Sequence, residues 1–539
     1  MIKSERCTML PNGAKLFVNT IPDAKNIYSD IIFECGSAYD TPEKSGISHF
    51  LEHMLFELDP SIGAEELDKK FDELIAYKNA STSDYCIDFR NEVKKDNFDE
   101  MFGLVCHYIE HPDFTENERN LISLEKQRKI ITKEKLLEGA TQNEILFSKK
   151  RKTIFSETSF EKGIIGKNKT INNITLKDLK EHYEKFFIPE NMNIIITGNI
   201  TFKEAEKIVK RCFYGRFLQG SDNKTLQRFN SAVSDAKKRF KRSKKTKVFF
   251  YENKGFDDDG GAHIELIFNG MNRLDKKFPA LTLITNILNK ELYEKIREKE
   301  KIAYYAYSYD NNCLKNDFFT IKSTIEEKDI EKFLNCVADV FAQILQEGIS
   351  KEKIKNELKA IKARCEGSSD FQNIVSNHDI FVQRIQNANY KGIERNGYFL
   401  QKYNKLSSQD LVGALKEILK TEPILTIFGK KYTKKIDEQK LKQMFSIESL
   451  MQRDYKTKKI DSIYANNQAI EEYNYFSSLQ MQAPKSYSLL QSKLNATYPE
   501  QEETSRSKEV NKPKEISNVI KNTLATRSNG NTNIVCLLR

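Results

Sequence analysis

The chain has 539 residues, of which 39% are hydrophobic, and carries 87 Lys and Arg against 77 Asp and Glu. That length suffices for several domains and a sizeable core, and the balance excludes a chain disordered throughout. Nine cysteines, odd in number and without a CxxC pair, exclude the disulfide framework of a small secreted protein and point to a reducing compartment.

The first residues, Met1–Gly13, contain no apolar core and no small-residue cleavage site, and no run of about 18 apolar residues occurs anywhere. A soluble protein of the cytoplasm, with no membrane partner, is expected. The final Cys536–Arg539 has the outline of a prenylation box but ends in Arg, which such boxes do not use.

Asn12-Gly13 is a turn signal, and Lys15–Asn19 and Ile27–Cys35 read as the first strands. The stretch Gly46–Phe56 then places His49, Glu52 and His53 in an HxxEH array within an apolar run. On a helix the two imidazoles lie on one face, one turn apart, where they can share a zinc ion. Glu52 beside them suits a general base acting on water, and the order is that of the inverted zinc-peptidase motif. Ala64–Tyr77 reads as a charged helix, Asn79–Phe89 as a turn followed by a strand, and Asp96–Ile109 as another helix. His107, Glu110 and His111 form a second HxxEH, but Pro112 follows directly and makes this a helix end, so no metal is expected there. Phe114–Leu137 reads as one long helix stopped at Gly139. A catalytic zinc keeps three protein ligands, and this helix offers Glu118, Glu125 and Glu134 as the third; spacing alone does not choose among them.

An internal repeat follows. Thr175 and Asp178 open a helix that runs to Pro189 and is followed by the strand Met192–Thr197 and Gly198. Ser407 and Asp410 open a helix that runs to Pro423, followed by the strand Ile424–Phe428 and Gly429. Both share a capping-box start, a proline, an apolar strand and a glycine, which implies two related halves. The expected divisions are a first half over 1–220, a polar, basic linker over 221–247, a second half over 248–430 and an extension over 431–539. The basic run Lys237–Lys247 has almost no aromatic residues among its charges and reads as solvated linker, so no nucleic-acid partner is expected. Pro484–Gly530 is poor in apolar residues and reads as disordered.

Leu10–Gly13, Gly36-Ser37 and above all Gly46–Phe56 resemble the N-terminal signature of the pitrilysin and mitochondrial processing peptidase family of zinc metallopeptidases, which includes insulin-degrading enzyme. The resemblance covers residues 8–430. It implies an α+β fold of two homologous sandwich halves closing as a clamshell around a chamber, with a zinc cofactor held by His49, His53 and a glutamate further on. Glu118–Glu125 and Gln127–Glu134 both fit the family's third-ligand pattern; Asn143–Phe147 and Gly163–Gly166 fall in register with Glu134, so Glu134 is the ligand the resemblance favours over Glu125. Gln127 stands where the family usually has a second glutamate. Asn79 matches an asparagine associated with the substrate backbone. Ile296–Tyr304 resembles a segment whose Arg and Tyr hold substrate and its tetrahedral intermediate, which implies those roles for Arg297 and Tyr304, with Tyr305 the substitute if the strand slips by one. Lys301 departs from the family's glycine, and Asn289–Leu292 from its small-residue turn. The resemblance further implies an endopeptidase acting on unfolded peptides, and a homodimer or a pair with a related subunit. The rival is a non-catalytic relative that binds peptides or serves assembly; such relatives lose the HxxEH residues, which are intact here.

Overall fold

Alternation along three apolar segments decides the centre of the first half: in each, one set of side chains enters a helix-covered core and the other faces away. These are β2 (Lys15–Thr20), β3 (Asn26–Phe33) and β6 (Met192–Gly198). With β1 (Ser4–Met9), β4 (Tyr77–Thr82) and β5 (Ile87–Lys94) they form a sheet in the order β1-β2-β6-β3-β5-β4, parallel only between β2 and β6. The structure is a computed structural model that describes residues 4–455 except 62, 138–147, 150, 153, 156–157, 214, 239, 241–244, 253–260, 273–274, 312–317, 368–373, 389, 394–401 and 431–435. Gly139, Asn143–Phe147, Pro484–Gly530 and Cys536–Arg539 lie outside the described residues.

The longer helices of the first half, among the described residues, are α1 (Ile47–Leu55), α2 (Ala64–Glu73), α3 (Phe98–Glu110), α4 (Glu118–Leu137), α5 (Leu176–Phe186), α6 (Phe202–Cys212) and α7 (Asn223–Lys238). Their core holds Leu16, Val18, Ile31, Phe33, Phe50, Phe102 and Ile194 among others.

The second half repeats the plan. Its strands are β7 (Lys247–Glu252), β8 (Ala262–Asn269), β9 (Ala306–Asn311), β10 (Phe318–Ile325) and β11 (Ile424–Gly429), in the order β7-β11-β8-β10-β9, parallel only between β7 and β11. Strand for strand this is the order of β2 to β6. Its helices are α8 (Phe278–Leu292), α9 (Ile330–Glu347), α10 (Lys351–Gly367), α11 (Ile374–Asn387), α12 (Ser408–Leu419), α13 (Glu438–Met444) and α14 (Ile447–Gln452). The paired capping boxes exist as hydrogen bonds. Thr175 Oγ1 accepts from the Asp178 amide while Asp178 takes the Thr175 amide at 2.9 Å, and Ser407 and Asp410 do the same. Each box satisfies amides that the first helical turn leaves open.

The remaining faces of the two sheets are covered by exchange. Phe17, Ile32 and Ile195 of the first sheet pack against Phe381, Val382 and Ile385 of α11, from the second half. Ile267, Phe318 and Ile424 of the second sheet pack with Ile154 and Phe155, from the first half. Polar ties seal the α11 contact: Arg384 pairs with Glu5 at 2.6 Å, and Arg90 joins Asp30 at 3.1 Å and Asp379 at 2.9 Å.

Three sequence expectations change. The 221–247 segment is not a plain linker: α7 turns Phe229, Ala232, Val233 and Ala236 onto the first core, because these residues recur at helical spacing, and Phe240, just past the helix, joins the same core. The second half does not stop at residue 430, since Ile436, Leu441, Phe445 and Leu450 belong to its core. Asn79 lies within β4 rather than in a turn; the reversal comes later, where the Ser83 amide donates to the Cys86 carbonyl.

Candidate metal centre

Helix α1 starts where it does because Asp40 receives its first amides. The carboxylate accepts from the Gly46 amide at 2.7 Å, the Ser48 amide at 3.3 Å and Ser48 Oγ at 2.5 Å. A carboxylate at this end also matches the helix dipole. Gly46 has φ of +93°, and a Cβ there would run into the Ile165 carbonyl oxygen, so sterics and backbone both require glycine. Every residue of α1 is buried, between α4, α5 and β4.

Burial brings the motif's polar groups together. The His49 and His53 rings lie 4.7 Å apart, and Glu134 Oε2 of α4 stands 3.7 Å from His49 Nε2 and 3.6 Å from His53 Nε2. The donor atoms of these three residues fall within 4.8 Å of one another, the one such group of three or more among the described residues. Tetrahedral zinc with bonds of about 2.0–2.1 Å sets its ligands roughly 3.3–3.4 Å apart, so a small inward movement suffices. His49 supplies the test of fit: both of its ring nitrogens are buried without a hydrogen-bond partner, and burial holds the ring neutral by lowering its pKa to about 3. A neutral imidazole with an open nitrogen is a metal ligand in waiting. His₂Glu is also one of the donor sets that zinc takes.

Glu52 lies on the same helix, 3% exposed, with Oε2 accepting from Thr82 Oγ1 at 2.8 Å. Burial pushes its carboxyl up to about 7, against the lowering effects of His53 and Thr82. Around His53, Gln127 Oε1 meets Nδ1 at 3.0 Å and Gln127 Nε2 donates to Glu57 Oε1 at 2.7 Å.

Glu125 is 59% exposed at the side chain and pairs with Arg128 at 3.0 Å, pointing away from the group that Glu134 joins. The second array is used otherwise: His107 Nε2 meets Asp59 at 2.9 Å, and His111 caps α3. Asn79 is half-buried on β4, the outermost strand of its sheet. In the second half, α8 continues into a wider π turn over Tyr293–Lys299, and the Arg297 guanidinium lies 4.4 Å from the Tyr304 ring centre and 4.9 Å from that of Tyr293. Tyr304 is 62% exposed, whereas the Tyr305 hydroxyl is bound to Thr324 Oγ1 at 2.6 Å. Lys301, with φ of +52°, takes the left-handed conformation that ends this turn and lets the Ile302 amide return to the Ile296 carbonyl. Sequence reasoning missed Asp40, Thr82 and Glu57; a carboxylate ahead of Gly46 was the readable signal only for the first.

Two α+β halves of one topology, with a buried His₂Glu group between two helices of the first, match the architecture of the inverted-motif zinc metallopeptidases. Sequence comparison agrees: the model of the insulinase family (peptidase family M16) matches residues 18–167, and that of the peptidase M16 inactive domain matches residues 173–361. The chain belongs to peptidase family M16, whose members use zinc. Among its relatives, the uncharacterized zinc protease YmxG of Bacillus subtilis is 23% identical over 369 residues, covering 67% of this chain and 83% of its own. A probable mitochondrial-processing peptidase subunit beta of Arabidopsis thaliana is 25% identical over 209 residues, 39% of this chain and 38% of its own. The crystal structure of the first half of the periplasmic protease PqqL from Escherichia coli superposes with a TM-score of 0.69 at 15% identity, covering 85% of this chain and 98% of that one.

Proposed function

We propose that the chain is a zinc-dependent endopeptidase that cleaves unfolded peptides. The observation that carries this reading is the buried convergence of His49, His53 and Glu134 beside Glu52. When bound, zinc supplies Lewis acidity, drawing charge from a carbonyl oxygen and easing the deprotonation of water. Glu52 takes the proton of the attacking water on its carboxylate and delivers it to the leaving amine. Thr82 fixes that carboxylate beforehand through Oε2.

Arg297 and Tyr304 are donors suited to the charge that develops on the carbonyl oxygen. The exposed phenol of Tyr304 is available for this, whereas that of Tyr305 is engaged within the sheet. Substrate backbone is proposed to add to the outer edge of β4, where Asn79 stands, since an unpaired strand edge accepts an extended chain. Two copies are proposed to pair as a homodimer, checked by sedimentation.

The test is cleavage of a mixed-sequence peptide pool by the full chain and by Glu52→Gln. Products from the first alone support the reading. Zinc-loaded protein inert in both forms would overturn it and leave a peptide-binding or assembly subunit.

A further inference from the structure

Resting on the zinc reading above, we infer that Glu57 is a positioning residue for the metal centre, acting on His53 through the side-chain amide of Gln127. Glu57 sits just past the end of α1, buried, and its carboxylate accepts from Lys126 Nζ at 3.0 Å, from Gln127 Nε2 at 2.7 Å and from Ser123 Oγ at 3.5 Å. Gln127, 3% exposed on α4, reaches His53 Nδ1 with Oε1 at 3.0 Å.

The chemistry runs in one direction. A primary amide has a donor end and an acceptor end, and a carboxylate paired with an ammonium accepts only. Glu57 therefore holds the amide nitrogen of Gln127, and this turns Oε1 toward the imidazole. An acceptor at Nδ1 obliges that nitrogen to carry the proton, which leaves the lone pair on Nε2, the nitrogen that faces Glu134 at 3.6 Å. A neutral amide in direct contact with the histidine thus transmits the orienting effect of a carboxylate one residue further out. A carboxylate at position 127 would touch the imidazole directly but would also face Glu57, and two buried carboxylates in contact cannot both stay ionised. Glutamine at 127 and glutamate at 57 are therefore matched choices.

The experiment is a double-mutant cycle on zinc affinity, measured by chelator competition on the full chain carrying Glu52→Gln, with no activity readout. Gln127→Leu should weaken zinc on the order of 10–100-fold, as loss of an outer-shell partner does. Glu57→Met should weaken it when Gln127 is kept and change it less than about twofold when combined with Gln127→Leu. The exchanged pair Glu57→Gln with Gln127→Glu should bind zinc within about threefold of the parent, which guards against a variant that merely misfolds. Equal, additive losses from Glu57→Met in both backgrounds, or no loss in either, would overturn the inference. A parent chain that holds no zinc would instead overturn the metallopeptidase reading beneath it.

Discussion

Thr82 Oγ1 donates to Glu52 Oε2 at 2.8 Å, tying the last residue of an edge strand to the acid beside His49 and His53. Thr82→Val removes the donor at nearly constant volume. It should lower kcat by about tenfold, a loss in the range of a misplaced general base, with zinc content unchanged. Thr82→Ser should restore most of the rate, and a Val variant with unaltered kcat would separate the two residues functionally.

Substitution of the proposed ligands should divide the glutamates of α4. Glu134→Ala, like His49→Ala, should lose stoichiometric zinc after dialysis, whereas Glu125→Ala should retain it, because Glu125 is surface-paired with Arg128. Metal analysis of the three proteins decides this; loss of zinc in the Glu125 variant alone would reverse the assignment.

Acid should unfold the first half partly through His182. Burial lowers its pKa from 6.5 to about 3, so below pH 6.5 the unfolded chain takes up a proton that the folded chain refuses. Stability is thus complete above 6.5 and falls toward pH 3, by about 2 kcal/mol at pH 5 from this group. Urea midpoints of the parent and of His182→Gln at pH 7 and pH 5 should show a smaller drop for the variant.

The two adjacent tyrosines should respond oppositely. Tyr305→Phe breaks a partly buried hydroxyl contact with Thr324 and should cost about 1 kcal/mol of stability. Tyr304→Phe, at a side chain 62% exposed, should leave the melting temperature unchanged and lower kcat instead. Matched calorimetry and kinetics separate them, and a silent Tyr304→Phe in both would remove it from the proposed oxyanion role.

Lys301→Gly relieves a left-handed lysine. Because L-residues pay roughly 1–2 kcal/mol for that conformation and glycine does not, the exchange should stabilise the chain by up to about 1 kcal/mol after the flexibility of unfolded glycine is subtracted. A lower melting temperature would contradict this.

Much of the site was legible because the motif is local: His49, Glu52 and His53 share one helical turn, and helical geometry alone puts them together. The repeat was legible for the same reason, each capping box spanning a single turn. Glu134 was one of three glutamates on a helix, and which of them turns inward depends on how α4 packs on α1, which spacing does not encode. The helical stripe from Phe229 to Phe240 was present in the sequence but lay beside a dense basic run that drew the reading toward linker. Glu57 and Thr82 carry no local signature, since each acts on a side chain far along the chain or in another element.

The exchanged coverings of the two sheets make each half an unfinished object. An isolated first half would bare Phe17, Ile32 and Ile195, and an isolated second half would bare Ile267, Phe318 and Ile424. Either fragment alone would present a sticky flat surface to whatever it met. During synthesis the leading half must wait, with that surface open, until α11 has been made.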